Sequence, residues 1–203
     1  MPRTVAVVAF EGAEELDFVG PWEVFTMAAA LFPETCSAYL VSERGGEVRC
    51  AKGLRVIADY SFESAPRAEI VVVPGGMGTR KESANPAMLN YLKNAAHSAE
   101  LMTSVCTGSF VLEQAGLLTG KRATTHWGSM ERLRALGTVQ VVEERWLDEG
   151  SVITSSGVSS GIDMALYITG KLWGAEKARM VQKAMEYFPE PPYQETPIPQ
   201  WPR

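Results

Sequence analysis

Two kinds of apolar run alternate along this chain. The first kind is continuous and rich in β-branched residues: TVAVVAF (4–10), EIVVVPGG (69–76, ending in a glycine turn) and LMTSV (101–105). Runs that are apolar at every position, rather than every second one, predict strands buried on both faces, as in a parallel sheet covered by helices. The second kind recurs every three to four residues. Val24, Ala28 and Leu31 follow Gly20–Pro21, and proline suits the first turn of a helix. Leu89, Leu92, Ala96 and Ala99 share one face of a helix that Asn85 caps and Pro86 opens. CSAYLVS (36–42) reads as a further strand, and RGGEVRCAKGLRVIADY as paired short strands turning at Gly45–Gly46 and Lys52–Gly53. Beyond the run at 101–105, a helix ends at Gly116 and KRATT gives a short strand. His126–Leu136 is a helix, and VQVVEERWLDEGSVITSS forms two strands around Glu149–Gly150. Gly161–Trp173 carries only Asp163 and Lys171 as charges and is a largely buried helix. Ala175–Tyr187 is amphipathic, with Ala178, Val181 and Met185 inward.

Strands alternating with helices predict a doubly wound, flavodoxin-like α/β/α sandwich with a mostly parallel sheet. One domain covers residues 1–188. The last sixteen residues hold six of the twelve prolines, so 189–203 is expected as an extended surface tail. In such sheets ligands sit outside the carboxyl ends of the strands. Three strand ends are notable: Phe10–Glu11 with the loop to Asp17, Pro74–Gly75–Gly76, and Val105–Cys106. They can meet at one crevice.

Cys106 stands between a buried run and a helix, a strand–elbow–helix unit. A helix N-terminus carries about half a positive charge and free N–H groups, so the thiol is expected below its usual pKa of about 8.5. Thr107, Gly108 and Ser109 are small enough to admit a substrate. The alternative is a structural cysteine, since free Cys is among the most buried residue types. A cysteine nucleophile usually needs a base and an oxyanion hole. His97 reads as an exposed residue at a helix C-terminus, and His126 either approaches the crevice or is structural. Asp17 abuts Gly20–Pro21 and is either an N-cap or a carboxylate exchanging protons beside the thiol. Gly75 and Gly76 leave backbone N–H groups open toward the same point, or only make a turn.

Net charge is −5 with no long basic run, which argues against a nucleic-acid surface. No stretch approaches 18 uninterrupted apolar residues, so no membrane span is expected; nor is a signal peptide. Three cysteines, Cys36, Cys50 and Cys106, suggest neither a disulfide framework nor a zinc site, and a reducing cytoplasm is the expected compartment.

Four stretches carry a family likeness: ELDFVGPWEVF (15–25), VVVPGGMG (71–78), TSVCTGSFVLEQAGLLTGKRATTHW (103–127) and SSGVSSGIDMAL (155–166). On these the chain resembles the ThiJ/PfpI superfamily and, within it, the isonitrile hydratases. The amidase-like N-terminal halves of some AraC-type regulators share the CTGSFVL–AGLL–G–ATTHW pattern but continue into a helix-turn-helix domain, which is not expected here. PfpI-type proteases carry a histidine directly after the cysteine, and the glyoxalase-like branch also relies on one there. Thr107 holds that position here, so the resemblance does not extend to those activities. It implies Cys106 as nucleophile, Asp17 as acid/base and Thr107 holding a substrate atom or water. Gly75, Gly76, His126, Trp127 and Val158 are expected around the substrate. It also implies hydration of a small isonitrile, R–N≡C, to an N-substituted formamide, with no metal or organic cofactor. A homodimer that binds neither nucleic acid nor membrane is expected. The other reading is a non-catalytic module that holds a small amide-like ligand or senses redox state through Cys106.

Overall fold

A computed structural model of the chain describes residues 2–193. The first strand, β1 (Arg3–Val8), lies inside an eight-stranded sheet. On one side it pairs in parallel with β2 (Cys36–Ser42), which pairs in parallel with β4 (Arg55–Ser61); β3 (Arg44–Arg49) closes that edge antiparallel to β4. On the other side β5 (Ile70–Val73), β6 (Leu101–Val105) and β10 (Val152–Ser155) follow in parallel, and β9 (Trp146–Asp148) ends the sheet antiparallel. The doubly wound expectation therefore holds. Every residue of β5, β6 and β10 is buried, the physical origin of the unbroken apolar run at 70–73 and of the absence of charge in 101–105.

Helices α1 (Glu15–Leu31), α6 (Ser160–Trp173) and α7 (Ala175–Ala184) pack together as one layer. The short α2 (Thr79–Glu82), α3 (Pro86–Ala96) and α4 (Gly108–Gln114) form another group. The Asn85 side chain accepts a hydrogen bond from the Ala87 N–H and caps α3 as its sequence predicts. A two-stranded parallel sheet, β7 (Arg122–Ala123) with β8 (Gln140–Val141), sits apart and encloses α5 (Met130–Arg134) in sequence. Among the described residues no helix is long and apolar enough to cross a membrane. Residues 194–203, most of the proline-rich tail, lie outside the described residues.

Three local expectations are corrected. Helix α1 opens at Glu15, not at Pro21, which lies inside it. Proline there removes the N–H that would reach the Asp17 carbonyl, and close packing around it compensates. A Cβ on Gly20 would stand 2.9 Å from Ile162 Cγ1, and one on Gly161 would stand 3.2 Å from Pro21 Cγ, so α1 and α6 cross where both are small. Gly45–Gly46 is not a turn but a β-bulge inside β3, with the register shifting between Arg44 and Gly46 and both glycines at positive φ. Residues 126–136 are not one helix: a 3₁₀ turn over Trp127–Ser129 precedes α5.

Candidate active site

β6 delivers Cys106 to the carboxyl edge of the sheet. The residue adopts φ +56°, a left-handed conformation that costs a non-glycine residue about 1–3 kcal/mol. Its backbone is held on both sides. The N–H donates to the carbonyls of Ser155 (3.1 Å) and Ser156 (2.7 Å), and the carbonyl accepts from Thr125 Oγ1 (2.9 Å) and Ser109 Oγ (3.2 Å). The cysteine elbow read from sequence is thus a strained turn fixed by β10 and by the loop after β7.

β5 runs into Pro74–Gly75–Gly76 directly opposite. A Cβ on Gly75 would lie 2.6 Å from Thr107 N, 2.8 Å from Asp17 Oδ2 and 2.8 Å from Cys106 Cβ. No side chain larger than hydrogen fits where these three segments converge. The Gly75 carbonyl accepts from the Glu14 N–H at 2.9 Å and so ties down the start of α1. Asp17, in the first turn of that helix, is completely buried. Since Glu14 occupies the N-cap position, the capping alternative for Asp17 falls away. Its Oδ2 accepts from the Gly75 N–H at 2.8 Å, the Cys106 side chain lies beside the same carboxylate, and Oδ1 has no partner among the described residues.

The expected open N–H groups of Gly75 and Gly76 are in fact occupied. Gly75 donates to Asp17, and Gly76 donates to Thr107 Oγ1 at 3.0 Å. Thr107 Oγ1 also lies 3.2 Å from Thr79 Oγ1, so this hydroxyl fixes the loop. The backbone N–H groups that face the Cys106 sulfur belong to Thr107 and Val158. Val158, at φ +25°, is a second strained residue beside the thiol.

The direction of the thiol's shift reverses the sequence expectation. Burial, then the Asp17 charge, push Cys106 up to about 12; the sulfur-bearing residue is only 6% exposed. Burial also raises Asp17 to about 7, against the lowering influence of the Gly75 N–H; the Glu14 charge adds to the rise. These are shifts of one interacting pair, whose two protons leave in separate steps. The carboxyl yields first. Above about pH 7, Asp17 is a carboxylate beside a neutral thiol. The pull of a seven-residue helix does not outweigh desolvation and an adjacent carboxylate.

Cys106, Thr107, His126 and Val158 line a cleft of about 240 Å³, smaller than the roughly 300–1,000 Å³ of drug-sized sites. His126 Nδ1 accepts from the Gly128 N–H at 3.2 Å, capping the 3₁₀ turn, and burial lowers its pKa. It is a neutral wall of the cleft, and Gly157 leaves it room: a Cβ there would be 2.9 Å from His126 Cδ2. Trp127 does not join the lining; it is 57% exposed, its ring 5.5 Å from that of His126. Glu14, Arg80 and Arg132 do line the cleft and were not singled out for it from sequence. Arg80 sits two residues beyond VVVPGGMG on α2, and Arg132 on α5; both helices are too short to show a hydrophobic period. A larger cavity, about 860 Å³, lies elsewhere, beside the stacked Phe62 and Tyr91, and its lining holds neither cysteine nor histidine. Size alone does not mark the reactive site.

Comparison with known proteins agrees with this geometry. The chain is 36% identical over 193 residues to an isonitrile hydratase of Pseudomonas putida, covering 95% of this chain and 82% of that protein. It is 27% identical over 173 residues to the HTH-type transcriptional regulator CdhR of Pseudomonas aeruginosa, covering 85% of this chain but 51% of the regulator. A crystal structure of a ThiJ/PfpI family protein from Pseudomonas syringae superposes with a TM-score of 0.90 at 28% identity, covering 100% of this chain and 82% of that one. The model of the DJ-1/PfpI family matches residues 3–171, and the chain belongs to that family.

Proposed function

We propose that the protein is a cofactor-independent isonitrile hydratase with Cys106 as nucleophile and Asp17 as acid/base. The observation that carries this reading is the buried thiol held against the carboxylate of Asp17 at one end of a small cleft. The 36% identity to a Pseudomonas putida isonitrile hydratase supports it. The isonitrile carbon becomes electrophilic as it is protonated. Asp17 takes the thiol proton and passes it to that carbon while sulfur adds there, so R–N≡C and Cys–SH become the thioimidate R–N=CH–S–Cys. Asp17, again a carboxylate, accepts a proton from water as its oxygen adds to the same carbon. The remaining proton of the added hydroxyl moves to the nitrogen as the C=O bond forms, the C–S bond breaks, and the thiol is re-formed with the proton that Asp17 returns. The product is R–NH–CHO. The Thr107 and Val158 N–H groups facing sulfur stabilise it as the C–S bond forms and breaks. A buried, neutral thiol suits this delivery by a paired base. It suits a redox sensor poorly, because sensing cysteines are low-pKa and accessible. The test is direct: purified protein is mixed with cyclohexyl isonitrile, and formamide formation is followed by chromatography. Turnover lost in Cys106→Ser supports the reading; no formamide from native protein overturns it.

A further inference from the structure

The cleft over Cys106 carries positive charge that no carboxylate among the described residues pairs. Arg80 of α2 and Arg132 of α5 both line it, from elements far apart in sequence. Arg3, Arg55, Arg122, Arg134 and Arg145 each hold a carboxylate partner. Among the described residues neither Arg80 nor Arg132 does. Arg80 contacts Met77 Sδ at 2.9 Å, and the Arg132 guanidinium lies 4.1 Å above the Phe110 ring. The remaining acid of the cleft wall, Glu14, is engaged by Lys52. In a chain of net charge −5, two arginines with no carboxylate partner among the described residues line the cleft over Cys106.

An isonitrile group is uncharged and small, so its affinity must come largely from the R group. With the isonitrile carbon at Sγ and Asp17 below it, the base of the cleft repels an anion. R must run outward toward the mouth. A guanidinium presents a planar fork of donors that matches a carboxylate. We infer that the substrate is an isonitrile whose R group ends in a carboxylate, held at the mouth by Arg80 and Arg132. This rests on the hydratase reading for the isonitrile but not for the anion.

Two measurements separate those claims. The first uses no isonitrile: the rate of Cys106 alkylation by iodoacetate is divided by the rate with iodoacetamide. The expected result is a ratio that falls about tenfold in Arg80→Gln/Arg132→Gln and less in each single variant. It should fall in native protein as salt is raised and stay put in Arg179→Gln, a charge outside this cleft. A ratio indifferent to both cleft arginines and to salt overturns the anion site. The second compares kcat/KM for 4-isocyanobutanoate and its methyl ester. A preference for the acid that falls about tenfold in the double variant, mainly through KM, supports the inference. Hydration of the ester as fast as the acid overturns it and leaves the hydratase standing. No turnover of either overturns the isonitrile substrate, and the alkylation ratio then decides alone whether the cleft selects anions.

Discussion

Between about pH 7 and about pH 12 the Cys106–Asp17 pair holds a single proton, and that is the ionisation the proposed chemistry needs. The kcat/KM for a neutral isonitrile should therefore rise with pH through an apparent pKa of about 7 and then level off, which a pH–rate profile checks. Asp17→Asn keeps the shape of the side chain but cannot cycle a proton, and turnover should fall about 10²–10⁴-fold; normal turnover would remove Asp17 from the mechanism. A second expectation concerns strain. Cys106 sits at φ +56°, where glycine is comfortable and alanine is not. Both Cys106→Ala and Cys106→Gly should be inactive, but the glycine variant should be more stable by about 1 kcal/mol, read from denaturant midpoints. Equal midpoints would mean the elbow is unstrained. The partners Cys106 and Asp17 were legible in the sequence because each sits at a strand end or helix entry with its own local signature. The proton's location was not. The helix N-terminus is read from a few adjacent residues, whereas the burial that dominates comes from β5, β10 and α1 closing from distant parts of the chain.

Elements set the spacing of this pair, and the spacing rests on missing side chains. β5 approaches β6 and α1 so closely at Gly75 that an added Cβ meets Thr107 N, Asp17 Oδ2 and Cys106 Cβ at 2.6–2.8 Å. Gly75→Ala should push the β5 turn away from Cys106, lower stability by about 1–3 kcal/mol and abolish the Asp17–Gly75 hydrogen bond. Thermal melting together with turnover checks this; a fully active, equally stable variant would show that the crevice can open at no cost. The strands were legible because double-sided burial admits only apolar and small hydroxyl residues in β5, β6 and β10. The start of α1 was not. Pro21 and the acids before it mimic a loop leading to a helix entry, yet tertiary contacts override the local signal. The Glu14 N–H is anchored to the Gly75 carbonyl, and α6 packs against Gly20 and Pro21. The same override made Gly45–Gly46 look like a turn when the β4 ladder continues past it as a bulge. Arg80 and Arg132 belong to helices of four and five residues, below the length at which periodicity carries information.

On the scale of the whole molecule, the fold places a carboxyl group where it costs stability to ionise. Asp17 is fully buried at the meeting of β5, β6 and α1, and its pKa rises from 3.8 in the unfolded reference to about 7. The sign of the linkage follows from that direction. Below about pH 4 the group is protonated whether the chain is folded or not, and the folded state keeps its full advantage. As pH rises from about 4 to about 7 the unfolded chain releases the proton while the folded chain retains it, so stability falls. Above pH 7 the loss is complete, and a shift of this size corresponds to about 4 kcal/mol. Asp17→Asn abolishes this titration and leaves every other ionisable group in place. The difference in unfolding free energy, variant minus native, should therefore grow by about 4 kcal/mol between pH 4 and pH 8. In melting temperature that is a relative gain on the order of 10 °C for a chain of this size. The absolute order at pH 4 depends on how the buried Asn amide is satisfied, since an unpaired donor costs about 1–3 kcal/mol; the slope does not. Melting curves for both proteins from pH 4 to pH 8 give the measurement. Parallel curves would show that Asp17 keeps an ordinary carboxyl pKa in the folded state. It would then be too weak a base to take the proton of so high-pKa a thiol. A widening gap, together with turnover that appears over the same interval, would tie the stability cost and the catalytic base to a single buried group.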